Sequence, residues 1–378
     1  MLRFACVFAL LILLVPACAS SPETADEAPS ERADTDEMNE TNATDETDDS
    51  DAEGSDSKGA ASDDGGLDGR LSDYEYPFEV ETFAFDAQRQ DLEMAYMDVA
   101  PEEDERGTVL LLHGKNFSGA YWEETIETLV EEGYRVVVPD QIGFGKSTKP
   151  ADFQYSLHGL ATYTDELLDE LDVDQAHVVG HSMGGMLAAR YALMHPDETE
   201  SLTLVNPVGL EDYKRVVPYQ TVDQWFEQEL EKEPADIKNY MRETYFDGEW
   251  SDEYDPLVEI LQGWIRGPDY ERIAWNSALH YDMIFTQPVV YEFDLIEAPT
   301  LLILGTRDRT AIGKGLVSDE ERAELGDYPE MGRDAEEAIP DARLELLEDT
   351  GHLPQFERFD TYESLLTDFL ADPNEAAR

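Results

Sequence analysis

The chain has 378 residues and sets 87 Asp+Glu against 26 Lys+Arg, a formal net charge of −61 at pH 7. So acidic a balance excludes nucleic-acid binding, which needs a basic stripe, and docking on anionic lipid head groups. The only cysteines are Cys6 and Cys18, so beyond residue 18 there is no thiol for a disulfide, a sulfur-bound metal or a cysteine nucleophile.

Residues 1–18 begin with one positive charge, Arg3, followed by an apolar run from Phe4 to Val15 and then Pro16-Ala17-Cys18. That run is too short to span a bilayer as a stable helix, and its order is that of an export signal. Val15-Pro16-Ala17-Cys18 resembles the lipobox of bacterial lipoproteins. The resemblance implies that Cys18 becomes a lipidated first residue and that the protein sits in the cell envelope, periplasmic or outer-membrane associated. Cleavage near Ala19 without lipid would instead make it a secreted protein. Any membrane contact is then expected only through this anchor.

Residues 19–70 contain 18 acidic and 3 basic side chains and almost no large apolar residue. Such a segment buries too little surface to offset its ordering entropy, so a disordered tether is expected, with the folded domain covering 71–378. That domain is itself strongly acidic, as a surface adapted to high salt would be, since counterions screen carboxylate repulsion.

From about Tyr76 the pattern alternates between strand and helix, as in a parallel sheet covered on both faces. Val80–Phe85 and Leu92–Val99 read as opening strands forming an antiparallel edge. Next come a strand at Thr108–His113, a helix over Tyr121–Glu132 and a strand at Arg135–Pro139. A helix over Leu157–Leu171, a strand at His177–Gly180, a helix over Met183–His195 and a strand at Ser201–Val205 follow. The rhythm breaks at about Gly209, and residues 209–290 are aromatic, acidic and helical in pattern, which predicts an inserted cap. Strands resume at Thr300–Leu304 and Arg343–Leu347, and a helix over Thr361–Leu370 closes the chain.

The most specific motif is Gly180-His181-Ser182-Met183-Gly184, set between a strand and a helix-forming stretch. Small residues on either side let the serine occupy a strained turn with its hydroxyl exposed, and the N–H of Met183 then lies at a helix N-terminus, where it can stabilise an oxyanion.

In the order of its motifs the chain resembles the α/β-hydrolase superfamily over nearly all of residues 76–372. The resemblance implies an α/β fold with a mostly parallel eight-stranded sheet, helices on both faces and a helical cap. It places a second oxyanion donor after His113-Gly114, on the backbone of Lys115 or, as second choice, Asn116. Asp140-Gln141-Ile142-Gly143-Phe144-Gly145-Lys146-Ser147 is similar to the family's D-x-x-G-x-G-x-S loop and is read as structural. His113 precedes the nucleophile in sequence and is expected to orient the oxyanion loop. The family carries its base in a Gly-His setting after the last strand, which of the seven histidines only His352 satisfies. Its acid follows the strand before that, which selects Asp308 in Gly305-Thr306-Arg307-Asp308, with Asp294 and Asp349 as alternatives.

These roles imply a hydrolase acting through an acyl-enzyme on a small-molecule substrate, with no cofactor and no metal. A carboxylic ester of small or medium, partly apolar character is the first expectation. A prolyl-type aminopeptidase and a carbon–carbon bond hydrolase are alternatives within the fold, and a non-catalytic tethered binding protein is an alternative of another class. Haloalkane dehalogenases and epoxide hydrolases of this fold use an Asp where this chain has Ser182, which excludes their chemistry. Of the cap aromatics, Trp225 and Trp264 are expected to line the substrate site together with Asn116. The oligomeric state is left open.

Overall fold

The computed structural model describes residues 65–102 and 105–374. The expected export signal, Cys18 and most of the expected tether lie outside the described residues. The chain divides at Lys58 and Gly59, and the architecture below is that of the second unit. Among the described residues no helix is long and apolar enough to cross a membrane.

The strands are β1 (Glu81–Ala87), β2 (Gln90–Val99), β3 (Gly107–Leu112), β4 (Tyr134–Pro139), β5 (Ala176–His181), β6 (Thr199–Val205), β7 (Thr300–Gly305) and β8 (Ala342–Leu347). They form one eight-stranded sheet in the order β1-β2-β4-β3-β5-β6-β7-β8. β2 runs antiparallel to both β1 and β4, and every other pairing is parallel. The β1–β2 hairpin turns on Gln88 and Arg89, both at positive φ, which matches the twist of a two-residue hairpin.

Side-chain alternation along the central strands fills two cores. Leu110, Leu112 and Val178 face one, while Val109, Leu111 and Val179 face the other, and all six are fully buried. Each such side chain contributes about 1.5–3 kcal/mol by leaving water. The helices divide accordingly. α1 (Glu123–Glu131) buries Ile126 and Leu129 on the second core, while α2 (Leu157–Glu170) and α3 (Met183–Met194) cover the first. Ser156 caps α2 by accepting the Gly159 N–H at 2.9 Å, which fixes where that helix starts.

Between β6 and β7 the chain leaves the sheet to build a cap from α4 (Val222–Leu230), α5 (Pro234–Tyr245), α6 (Pro256–Arg266) and α7 (Tyr270–Thr286). A Thr221/Gln224 capping box starts α4, and prolines at the first turns of α5 and α6 start those helices. Residues 65–76 run along this cap. Leu67 N–H donates to Gly263 O (2.9 Å), the Trp264 indole donates to Asp68 O (3.0 Å), and Leu71 is fully buried against Trp264 and Ile273. Ordered contacts thus begin ahead of residue 71. Composition could not show this, because the strap is held by backbone groups and two leucines within a polar stretch.

After β7 come α8 (Asp319–Glu324) and α9 (Tyr328–Ala338), which the sequence reading did not anticipate. The buried stripe of α9 is Tyr328, Gly332 and Ala335, too small to register as an apolar period. The Asp327 side chain accepting the Glu330 N–H was the available signal. α10 (Pro354–Glu357) and α11 (Phe359–Ala371) close the fold, with Tyr362, Leu366 and Phe369 of α11 packed on the second core.

Candidate active site

The sheet brings the elbow between β5 and α3 against the loops that leave β3, β7 and β8. Ser182 sits at φ 56°, ψ −120°, a left-handed position that a side chain adopts only when its surroundings impose it. Here the glycines impose it. A Cβ at Gly180 would collide with the Gly184 carbonyl, and one at Gly184 would collide with the Leu112 carbonyl. The backbone reversal is therefore possible only with glycine on both sides.

His352 and Asp308 are fully buried and Ser182 is 7% exposed. His352 Nε2 lies 3.0 Å from Ser182 Oγ, and His352 Nδ1 lies 2.7 Å from Asp308 Oδ2. Asp308 also accepts from the Asn206 amide (2.5 Å) and from the Thr310 N–H (2.8 Å). Burial alone would raise the Asp308 pKa, but His352 and these donors outweigh it and hold the carboxyl below its usual range. An ionised Asp308 fixes the proton on Nδ1 and leaves Nε2 free to accept from Ser182. Asp294 and Asp349 are not brought to His352. Asp294 is exposed near the start of β7, and Asp349 pairs with Arg307 at 3.0 Å.

Lys115, Asn116, Ser182 and Met183 line one chamber of about 340 Å³ beneath the cap, together with Trp225, Tyr240, Tyr245 and Tyr281. Among the described residues the backbone N–H groups of Met183 and Lys115, the two expected oxyanion donors, donate to no other protein group. The Asn116 side chain is engaged with the Tyr245 hydroxyl at 2.8 Å. Trp225 stacks on Tyr281 in this chamber, whereas Trp264 lines an adjoining cavity.

His113 accepts the Gln141 N–H on Nε2 (3.0 Å), so its Nδ1–H donates to Gly114 O (2.9 Å) and the ring ties the oxyanion loop to the glycine loop. In that second loop Asp140 accepts from the N–H groups of Gly119 and Lys146 and from the Tyr76 hydroxyl, each at 2.7 Å.

Four supporting residues were passed over in the sequence. His181, inside the elbow motif, donates through Nε2 to His352 O (2.9 Å) and accepts on Nδ1 from Tyr121 (2.9 Å), whose oxygen in turn accepts the Gly114 N–H. Burial lowers the His181 pKa and keeps it neutral, as this chain of hydrogen bonds requires. Asn206 bridges Asp308, Gly305 and Gly351. Glu357 accepts the Gly351 N–H and pairs with Arg307, holding the histidine loop from below. Tyr245, from the cap, accepts the His352 N–H on its carbonyl (3.1 Å) and stacks its ring on the imidazole at 4.5 Å. For His181, Asn206 and Tyr245 the neighbours in space are far away in sequence, and Glu357, six residues from Gly351, sits in no motif that marks it.

Among the described residues one group, Asp165, His195 and Glu198, places donor atoms of metal-ligand type together. These residues are partly exposed on α2 and just beyond α3, and they pair with one another.

The profile of the α/β hydrolase fold family matches residues 107–359. A 2-hydroxy-6-oxo-6-phenylhexa-2,4-dienoate hydrolase from Burkholderia cepacia is 30% identical over 278 residues, covering 70% of this chain and 87% of that protein. Lipase 1 of Psychrobacter immobilis is 27% identical over 73% of this chain and 83% of its own length. The crystal structure of a probable hydrolytic enzyme from Pseudomonas aeruginosa superposes with a TM-score of 0.80 at 48% identity, covering 81% of this chain and 98% of that one.

Proposed function

Because the chain belongs to the α/β-hydrolase fold family, we propose that it is a serine hydrolase that works through an acyl-enzyme, with a carboxylic ester as its substrate. The observation that carries this reading is the unbroken hydrogen-bonded line from Ser182 through His352 to Asp308, set beside two unengaged backbone donors.

In this mechanism Ser182 Oγ attacks the acyl carbon while His352 Nε2 takes its proton. The N–H groups of Met183 and Lys115 hold the oxyanion, where one such donor is worth about 10²–10³ in rate. The imidazolium, stabilised by Asp308, passes the proton to the departing alkoxide. Water deprotonated by His352 then attacks the ester formed on Ser182, and the second oxyanion collapses to free acid and restored serine.

A second reading, cleavage of a carbon–carbon bond next to a carbonyl, is favoured by the activity of the Burkholderia relative. The same acyl transfer applies, with carbon as the leaving group and the imidazolium protonating it. The two readings separate by rapid quench with p-nitrophenyl butyrate and with a vinylogous 1,5-diketone. Intact-mass detection of an acyl group on Ser182 from the ester alone supports the first, turnover of the diketone alone supports the second, and turnover of neither sinks both.

Export and lipidation at Cys18 are part of the proposal, on the strength of Val15-Pro16-Ala17-Cys18 alone. Metabolic incorporation of a palmitate analogue that disappears in Cys18→Ser is the expected result, and labelling that survives the substitution contradicts it.

A further inference from the structure

We propose that the natural substrate carries a carboxylate at the far end of its acyl chain, and that Lys115, positioned by Ser277, and His280 receive this carboxylate in the cavity adjoining Ser182. The inference rests on the serine-hydrolase reading and names the substrate class of the same site.

A lysine enclosed beneath a cap is costly unless something compensates its charge. Lys115 is placed so that its backbone borders the nucleophile while its stem crosses to α7. Its Nζ donates to Ser277 Oγ at 2.7 Å and stands 3.6 Å from the centroid of the Tyr281 ring. Neither contact neutralises an ammonium. The near carboxylate, Glu229, is already hydrogen-bonded to Lys232. Among the described residues Lys115 therefore has no carboxylate within ion-pairing distance, and Glu229, which lines the same cavity, acts on it only from farther away.

His280 adds an independent observation. It stands one turn beyond Ser277 on α7, is fully buried, and among the described residues has no hydrogen-bond partner on either ring nitrogen. The carbonyls of Ile142 and Asn276 are near it but outside bonding geometry. The ring is wedged between Phe144 and Tyr155, each with its centroid 4.1 Å away. Lys115, Ser277 and His280 line one cavity of about 220 Å³, whose other walls include Ile237, Met241, Leu261 and Ile273. Ser277 is shared between Lys115 and Glu229, which also lines the cavity, so the groups in this largely apolar pocket left to meet a carboxylate are the ammonium and the imidazole N–H.

This cavity and the nucleophile's chamber share Lys115, Asn116, Tyr240 and Tyr281, which sets them side by side, and the proposed ligand reaches from one into the other. The lysine stem sets the spacing between the oxyanion donor and the ammonium at roughly 6 Å. That spacing suits monoesters of dicarboxylic acids about four to six carbons long.

The charged and titratable groups around Lys115 leave it as the one whose protonation changes near neutrality. Glu229 of α4 is held below the usual carboxylate range: its burial is outweighed by Lys115, Lys232 and Ser277. On α5 and α7, Tyr240, Tyr270 and Tyr281 are pushed up by burial and stay protonated, while burial keeps His280 neutral. Lys232 and Asp236 also face the cavity. Burial lowers the Lys115 pKa to about 7, with Glu229 opposing and Lys232 assisting. A bound carboxylate favours the ammonium, so binding at pH 7 takes up a proton.

The test uses the full chain and three arms. Labelling by an uncharged fluorophosphonate first establishes whether Ser182 is reactive, independently of the carboxylate. Initial rates are then compared for p-nitrophenyl monoesters of glutaric and adipic acid against p-nitrophenyl butyrate and hexanoate. The acid-ended esters are expected to have the higher kcat/KM, and Lys115→Met to lower that preference by about 10- to 100-fold, the range for loss of a charge-assisted hydrogen bond. His280→Phe and Ser277→Ala are expected to lower it less. Calorimetry of monomethyl glutarate with Ser182→Ala at pH 7, in two buffers of different ionisation enthalpy, is expected to show net proton uptake on binding. Labelling accompanied by equal or better turnover of the neutral esters, a preference that Lys115→Met leaves intact, or binding without proton uptake each overturns the inference while the serine reading stands. Absence of labelling overturns the serine reading itself.

Discussion

Asn206→Ala is the perturbation that asks most of the site as described. Asn206 is fully buried at φ 37°, and its side chain makes three hydrogen bonds: to Asp308 (2.5 Å), to Gly351 O (3.2 Å) and from the Gly305 N–H (3.0 Å). Alanine removes all three and leaves a buried N–H unsatisfied, at about 1–3 kcal/mol, besides a carboxylate that has lost a charge-assisted donor, at about 1.5–3 kcal/mol. Alanine also tolerates a left-handed backbone less well than asparagine, by about 1 kcal/mol. These losses share one network and do not add fully, so about 3–6 kcal/mol is expected, a large part of a typical total stability of about 5–15 kcal/mol. Asn206→Gly relieves the backbone strain and isolates the hydrogen-bond part. Urea unfolding measures the loss, and the kcat profile against pH measures the site. Asn206 is one of the groups that depress the Asp308 pKa, so the acidic limb of the profile should move to higher pH in both variants. The sign follows from linkage. A depressed carboxyl contributes stability above its unfolded pKa and loses it as pH falls through the folded one, so the difference between parent and variant should shrink in acid. A loss below 1 kcal/mol with an unmoved acidic limb would refute the assignment of Asn206 as the support of Asp308.

Asp308→Asn should keep the fold and lower kcat by about 10³–10⁴, because the amide favours the wrong imidazole tautomer; KM should change little, and steady-state kinetics with a p-nitrophenyl ester decide it. Gly184→Ala should fail to give folded soluble protein, or lose several kcal/mol, since its Cβ would meet the Leu112 carbonyl; a native-like urea midpoint contradicts the elbow geometry. Leu71→Ala, in the strap beneath Trp264, should cost about 2–4 kcal/mol and hasten proteolysis within the cap, and an unchanged cleavage pattern would show that the strap does not hold it. With a net charge of −61, thermal stability should rise from 0.1 M to 2 M KCl as the screening length falls from about 10 Å to a few ångströms, and a flat or falling Tm speaks against a surface adapted to salt.

What could be read from the chain was what its local chemistry encodes. Val109 to Leu112 announce a strand buried on both faces, and they lie in the middle of the sheet. Gly180 and Gly184 announce a turn that only glycine permits, and the structure puts Ser182 at its apex. Asp308 was separable from Asp294 and Asp349 only by its place in Gly305-Thr306-Arg307-Asp308 at the end of a strand, and the distance to His352 now separates them. The strap, α8 and α9 were not legible, because each is acidic and its buried face is small or made of backbone. His181, Asn206 and Tyr245 were not legible either. Each acts on a loop more than a hundred residues away, and nothing beside it in sequence marks that partner.

The most direct measurement is labelling of the full chain by a fluorophosphonate, read by intact mass and peptide mapping beside Ser182→Ala and His352→Ala. A single adduct on Ser182, absent from the serine variant and slowed at least a hundredfold in the histidine variant, is the expected result. An unlabelled but folded parent, or an adduct that persists without Ser182, would contradict the account.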